Sequence, residues 1–329
     1  MELQVKGKDL SSDSLQMKVF ESIEDFRSWR ETVVGDVGVV PTMGYLHRGH
    51  ESLLRAAREQ NKILVATIFV NPAQFAPGED LDVYPRDKEG DLETCRLLGV
   101  DAVFMPPRDQ IYPPGEFDLY IPAQNRCYHK AVSHLPIYIT LLYSPEGFGT
   151  YVETESGKSS QNSYSEGSSR PTFFRGVATV VLKLFNIIQP KRAYFGRKDA
   201  QQCVVIQSMV RDLNVPVEII IEPTVREHDG LALSSRNAYL NPEERSKATI
   251  LYRALSAGFS AFKNGETDAD ELRSIVKSET SQEEGFAVDY VSLADVNDMK
   301  EQEGTVSTGI LAIAGHIGKT RLIDNMMLE

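Results

Sequence analysis

Apolar residues along this chain gather into short runs separated by stretches of helical spacing. Strand-like runs occupy residues 35–40, 63–70, 102–105, 193–195 and 217–221, apolar enough to predict strands buried on both faces. Between them Leu53, Leu54 and Ala57 recur at helical spacing, as do Leu92, Cys95 and Leu98 before Gly99, residues 177–188 before Pro190, and Val204, Val205 and Met209. A capped helix over 22–30 precedes the first run. The alternation predicts a parallel sheet wrapped by helices. Beyond Pro223 the texture changes to a helix over 242–262, a Gly/Thr/Asp break at 265–268, another helix, and strand-like runs at 288–293 and 310–314. A boundary is placed near Glu222, giving an α/β domain over 1–222 and a smaller α+β domain over 223–329. No internal repeat of fixed period is visible.

One segment departs from this pattern. Residues 116–161 carry no clear period, and 158–169 are rich in Ser, Gly and Asn, which predicts a loop. A loop of such length is uncommon inside a compact domain.

Composition narrows the class. With 329 residues, 41% apolar and 25% charged, the chain has room for two cores. A net charge of −12 opposes general nucleic-acid binding, which needs a basic stripe, although one local basic pocket would still accept a nucleotide. Cys95, Cys127 and Cys203 are widely spaced and match neither a disulfide framework nor CxxC zinc spacing, so free thiols in a reducing compartment are expected. The amino end lacks a secretory core, and no run approaches the ~20 apolar residues of a membrane span. The cytoplasm is the expected location.

Candidate chemistry concentrates at strand ends. Met43-Gly44-Tyr45-Leu46-His47-Arg48-Gly49-His50 follows the first run and opens a helix, where backbone N–H groups and the helix dipole favour anions. Gly49 is expected to let a phosphate approach the backbone, and the two imidazoles to donate hydrogen bonds to an oxyanion. The plain alternative is a pair of surface histidines. Gln74, at the end of the second run, offers an acceptor and two donors. Gly196-Arg197-Lys198-Asp199, with Gln202 nearby, ends another run. Lys198 would present a point charge to a triphosphate, while Asp199 holds a ribose hydroxyl or steadies the lysine. Leu233-Ser234-Ser235-Arg236 lies just past the boundary, able to close as a flap with two hydroxyls and an arginine for phosphate. Arg170 and Arg175 either converge on an anion or cap the helix that follows. His129, His134, His228 and His316 lack partners at ligand spacing and read as structural or surface residues.

Taken together, PTMGYLHRGH, FVNPAQF, FGRKDAQQ, DGLALSSRN and the terminal RLIDN resemble, in order and context, the pantothenate synthetase family of pantoate–beta-alanine ligases over nearly all of 33–327. The resemblance implies a Rossmann-like nucleotidylyltransferase domain of the HxGH type with a carboxyl-terminal lid, usually a homodimer through the first domain. It implies condensation of pantoate with beta-alanine using ATP and Mg2+, through an enzyme-bound pantoyl adenylate. Carried over by position, Met43, Gly44, Tyr45, Leu46, His47, Arg48, Gly49 and His50 line the ATP site, with His50 the proton donor and His47 at the phosphates. Gly196, Arg197, Lys198, Asp199, Val225, Leu233, Ser234, Ser235 and Arg236 contact ATP. Gln74 and Gln202 hold pantoate, Gln74 also lies near beta-alanine, and Asp91 is placed near the magnesium, whose ligands are otherwise unassigned. A different HxGH nucleotidylyltransferase and a binding-only homologue are the rival readings.

The chain departs from the family at 116–147, an insertion between the turn at Tyr112 and the strand at Thr150. Two origins stay open: genuine protein, or a retained intron, since Gly115-Glu116-Phe117 can be encoded around GTGAGT and Tyr143-Ser144-Pro145 can end in an acceptor-like TCTCCAG. Phe173 and His316 stand where bacterial members often have histidine and tryptophan.

Overall fold

Val39, Val40, Leu64, Val65 and Ala66 are all buried, which leaves their strands no solvent face and sends them to the centre of a sheet covered on both sides. The computed structural model describes residues 16–113, 137–141, 150–157 and 166–329. In chain order the first part comprises β1 (Lys18–Phe20), α1 (Ile23–Thr32), β2 (Val37–Thr42), α2 (Arg48–Gln60), β3 (Ile63–Ile68), α3 (Lys88–Leu97), β4 (Ala102–Phe104), α4 (Arg108–Ile111), β5 (Ile137–Leu141), β6 (Thr150–Thr154), α5 (Glu166–Ser169), α6 (Phe173–Ile188), β7 (Arg192–Gly196), α7 (Ala200–Asp212) and β8 (Glu218–Glu222). The main sheet has the order β1-β4-β3-β2-β7-β8, and each pairing is parallel.

Side chains alternate between its two faces. Val39, Val65, Phe104 and Phe195 pack with Phe26 of α1, Val181 of α6 and Ile206 of α7. Val40, Leu64, Val103 and Tyr194 pack with Leu54 of α2 and Cys95 of α3. From β2 the chain proceeds to β3 and β4 on one side, and from β7 to β8 on the other. The order therefore reverses between β2 and β7, and a crevice opens at their carboxyl ends.

The second part comprises α8 (Pro242–Lys247), α9 (Ile250–Lys263), α10 (Ala269–Thr280), β9 (Phe286–Ala294), β10 (Gly309–Ile317) and β11 (Thr320–Leu328). Its sheet, β11-β10-β9, is antiparallel. Leu251, Leu255, Leu272 and Val276 of the helices bury against Val291, Leu293, Leu311 and Ile313. Ala200 and Val204 of α7 pack with Ala294, Met299 and Ile310, so this sheet abuts the start of α7.

Several elements differ from expectation. β1 was not anticipated because it is three residues long with only Phe20 partly buried. β11 was missed because buried Asp324 and Asn325 interrupt its apolar pattern. The helix expected over 242–262 is divided at Ala248–Thr249, where the Thr249 hydroxyl donates to Ser246 O at 2.9 Å and competes with the backbone ladder. Within the aperiodic stretch, β5 and β6 pair antiparallel, Ile137 opposite Thr154 and Leu141 opposite Thr150, and residues 166–169 form α5 rather than loop. The remainder of 116–147, including Cys127, His129, His134 and both readings of the segment's origin, lies outside the described residues. Among the described residues no helix is long and apolar enough to cross a membrane, and Cys95 and Cys203 are buried free thiols.

Candidate active site

The turn after β2 begins with two left-handed residues, Gly44 at φ 83° and Tyr45 at φ 52°. This conformation is costly for tyrosine and aims two successive N–H groups at one point. Asp91 of α3 occupies that point, its carboxylate accepting from Tyr45 N at 2.8 Å and Leu46 N at 2.6 Å. Both oxygens of Asp91, the residue placed near the magnesium, are thus committed to the backbone, and the side chain is buried. Among the described residues no group of three or more His, Cys, Asp or Glu could hold a metal ion. Asp91→Ala leaves two inward-facing donors unpaired and is expected to cost about 2 kcal/mol or more, read as a lower urea midpoint.

The same turn delivers His47 and His50 to the start of α2. His47 is the N-cap; its Nδ1 accepts from Gly49 N at 3.1 Å, and His50 Nδ1 accepts from His47 N at 3.3 Å. The ring centroids lie 4.1 Å apart. Because each Nδ1 accepts a backbone N–H, each ring carries its proton on Nε2. Burial, helped by the Lys198 charge, pushes His47 down to about 4. Burial, then His47 and Lys198, push His50 down to about 3. Both are neutral Nε2–H donors at neutral pH. Gly49 admits the His47 ring, since a Cβ there would lie 2.9 Å from His47 Cε1.

These shifts carry a sign. The histidines take up protons near pH 6.5 when unfolded but only near 4 and 3 when folded. Their stabilising contribution is therefore complete above pH 6.5, declines below it, and is lost as pH falls through about 4 for His47 and about 3 for His50. The urea midpoint is expected to fall between pH 6.5 and 4, with a clearly smaller slope in a His47→Gln/His50→Gln variant; equal slopes would contradict the assignment.

An inner chamber of about 220 Å³ lies between the two carboxyl strand ends, lined by Met43, His47, Gly49, His50, Gln74, Gly196, Lys198, Asp199, Gln202, Val225, Leu233, Ser234, Ser235 and Arg236. It adjoins a cleft of about 1190 Å³ and shares Lys198, Asp199, Gln202, Ser234 and Arg236 with it. Gly44, Tyr45, Leu46, Arg48 and Arg197 are not in the chamber wall. The first three form the turn, Arg48 pairs with Glu227, and Arg197 turns its carbonyl toward Asn325.

Partners missed from the sequence hold the lining residues in place. Asn71 donates to Gln74 Oε1 at 3.2 Å and to Gly176 O at 3.2 Å, and accepts from Tyr112 OH at 2.8 Å. Gln74 Nε2 meets Met43 Sδ at 3.0 Å. Phe69, Val177, Val180 and Leu184 supply an apolar wall. Arg236 donates to both oxygens of Asp80 at 2.9 Å, so the arginine expected at a phosphate already holds a carboxylate. Lys198 lies 3.3 Å from Asp199 Oδ1. Arg170 and Arg175 do not converge: Arg170 pairs with Glu79 and Glu166, and Arg175 stacks on Tyr151.

Residues 18–327 match the Pantoate-beta-alanine ligase family. A pantothenate synthetase from Roseiflexus castenholzii is 47% identical over 313 residues, covering 95% of this chain and 100% of that protein. One from Moorella thermoacetica is 47% identical over 293 residues, covering 89% and 91%. The crystal structure of pantothenate synthetase from Thermus thermophilus superposes with a TM-score of 0.77 at 38% identity, covering 94% of this chain and 99% of that one. The Francisella tularensis pantoate-beta-alanine ligase, complexed with beta-gamma ATP and beta-alanine, gives 0.68 at 30% identity, covering 95% and 98%. With the family matched over residues 18–327 and a relative 47% identical over 95% of the chain, the chain belongs to the pantoate–beta-alanine ligase family.

Proposed function

We propose that this chamber performs the ATP-dependent condensation of pantoate with beta-alanine. The observation that carries this reading is the convergence of two neutral imidazole donors and Lys198 opposite Gln74 and Gln202 at the point where the strand order reverses. Pantoate combines a carboxylate, two hydroxyls and two methyl groups. Gln74 and Gln202 suit the polar groups, and Phe69, Val177 and Val180 suit the methyls. The triphosphate lies along the start of α2 and Lys198, with the 225–236 strap over the nucleotide.

In the first step a pantoate carboxylate oxygen attacks the α-phosphorus and the bond to pyrophosphate breaks, giving pantoyl adenylate. Negative charge grows on the phosphate oxygens, where His47, His50 and Lys198 donate. Neutral Nε2–H donors stabilise that charge without giving up a proton, so His50 acts as a hydrogen-bond donor rather than an acid of ordinary pKa. In the second step the beta-alanine amine, after losing a proton, attacks the acyl carbon and AMP leaves. Ser234 to Arg236 cover the chamber and keep water from the adenylate.

Magnesium dependence belongs to this proposal. Asp91 is taken up by the turn and no protein cage is present among the described residues, so an ion arriving with the nucleotide would be held chiefly by the phosphates, and Asp199 in the chamber wall is the carboxylate that would help to hold it. The ion would neutralise phosphate charge. Homodimerisation through the 1–222 domain, the lid role of 223–329 and a cytoplasmic location complete the reading, the last supported by the buried free thiols Cys95 and Cys203.

The test is AMP formation from ATP, pantoate and Mg2+ with and without beta-alanine, for the full chain and for a version lacking 116–145. Beta-alanine-dependent AMP supports the ligase; nucleotide binding without pantoate-dependent turnover would sink it and favour a binding-only homologue.

A further inference from the structure

We infer that Asp324 and Asn325, the dipeptide inside the last strand, are positioning residues that set the Lys198 turn and the 225–236 strap at a fixed spacing around ATP. The inference rests on the reading that Lys198 and the strap bind the nucleotide. Nothing in that reading requires a residue from the end of the chain.

Asn325 is buried, and its amide nitrogen donates to Arg197 O at 3.0 Å and Lys198 O at 2.7 Å. These are consecutive carbonyls of the short 3-10 turn Arg197–Asp199 that carries the lysine, and that turn has no side-chain cap of its own. The amide orientation is dictated by its surroundings, since an oxygen in that place would face two carbonyl oxygens. Asn325 Oδ1 is left with no partner among the described residues. A buried acceptor without a partner is unfavourable, so the paired donation has to outweigh it.

Asp324 reaches the other wall. Its oxygens accept from Arg226 Nη1 at 2.6 Å and Nη2 at 2.9 Å, and Asp324 is itself buried. Arg226 also donates to Gly230 O at 3.0 Å and Asn325 O at 3.2 Å, and its backbone bridges to Ala232. The guanidinium thus ties the base of the strap, next to Val225, to the strand. Asp324 Oδ1 further accepts from the Asn325 backbone N–H at 2.8 Å, which fixes the Asp324 carboxylate against the backbone that carries Asn325.

The support is stiff. β10 and β11 pair without interruption from Gly309 opposite Leu328 to Ile317 opposite Thr320, with Asp324 opposite Ile313 and Asn325 opposite Ala312. One rigid strand therefore holds two nucleotide-facing segments that belong to different parts of the chain. A misplacement of about 1 Å at a reacting centre can cost on the order of 10²-fold in rate, so this spacing bears directly on the first step.

The experiment uses the full chain and a non-hydrolysable β,γ-methylene ATP analogue, titrated by calorimetry into wild type, Asn325→Ala, Lys198→Ala and the double variant, alongside steady-state kinetics. Asn325→Ala is expected to weaken analogue binding about tenfold and to lower kcat/KM for ATP by about 10- to 10²-fold, with KM for beta-alanine unchanged. In the Lys198→Ala background the same change should add less than about twofold, because coupled residues are not additive. Asn325→Ser, which keeps one donor, should fall between. Unchanged analogue binding, the same loss in both backgrounds, or failure of both Asn325 variants to fold would each overturn the proposal and leave Asn325 a stability residue. If wild type binds the analogue but makes no AMP from pantoate and beta-alanine, the ligase reading fails while the binding cycle still reports on Asn325.

Discussion

His50→Ala is expected to slow pyrophosphate release from ATP and pantoate by about 10²- to 10³-fold, the usual loss on removing one preorganised donor from developing charge. The donor is preorganised because His47 N fixes His50 Nδ1 at 3.3 Å and burial keeps the ring neutral. Removing the ring also takes away half of the capping box of α2, a loss of about 1 kcal/mol. His50→Asn separates the two effects, because its Oδ1 can accept from His47 N while its amide N–H, on a shorter side chain, does not take the place of Nε2–H. Stability should return toward wild type in His50→Asn and activity should not. Recovery of both together would assign His50 to helix capping alone.

Gly176→Ala should produce the largest combined effect on stability and substrate binding. A Cβ at Gly176 would lie 2.1 Å from Ala73 O, 2.4 Å from Ala73 C and 2.8 Å from Gln74 N, all backbone atoms that no rotamer change can move. Either α6 withdraws from the sheet or the turn Pro72–Gln74 shifts, and overpacking of this kind costs about 1–3 kcal/mol or more. The turn carries Gln74, and Asn71 is anchored on Gly176 O at 3.2 Å, so pantoate should lose its polar grip along with the packing. KM for pantoate is expected to rise about tenfold, since loss of one or two hydrogen bonds is worth ~1.5 kcal/mol, with a lower melting temperature. A wild-type KM in a folded Gly176→Ala protein would show that Gln74 does not depend on this contact.

The strand runs were legible because a strand covered on both faces has to be apolar throughout, and Val39, Val40, Val65 and Phe195 are. The placement of His47, His50, Gln74 and Lys198 at strand ends followed from the same pattern. β1 and β11 were not legible: one is too short to show a period, and the other buries an Asp and an Asn whose partners, Arg226 and the Arg197 and Lys198 carbonyls, lie about a hundred residues away in sequence. The role of Asp91 was likewise hidden, because nothing local says that a left-handed turn at Gly44 and Tyr45 will aim the N–H groups of Tyr45 and Leu46 at a carboxylate about forty-five positions further on.

The sequence by itself thus determined the parallel sheet, the family and the arrival of His47, His50, Gln74 and Lys198 at the crevice, since periodicity and local turn chemistry act over a few residues. Only the tertiary structure decided the protonation state of the histidines, the capture of Arg236 by Asp80, the commitment of Asp91 to the turn and the reach of the last strand to Lys198. Each of these depends on burial and on pairs far apart in the chain, and charge and hydrogen-bond energies are set by what surrounds a group in space rather than by its neighbours in sequence.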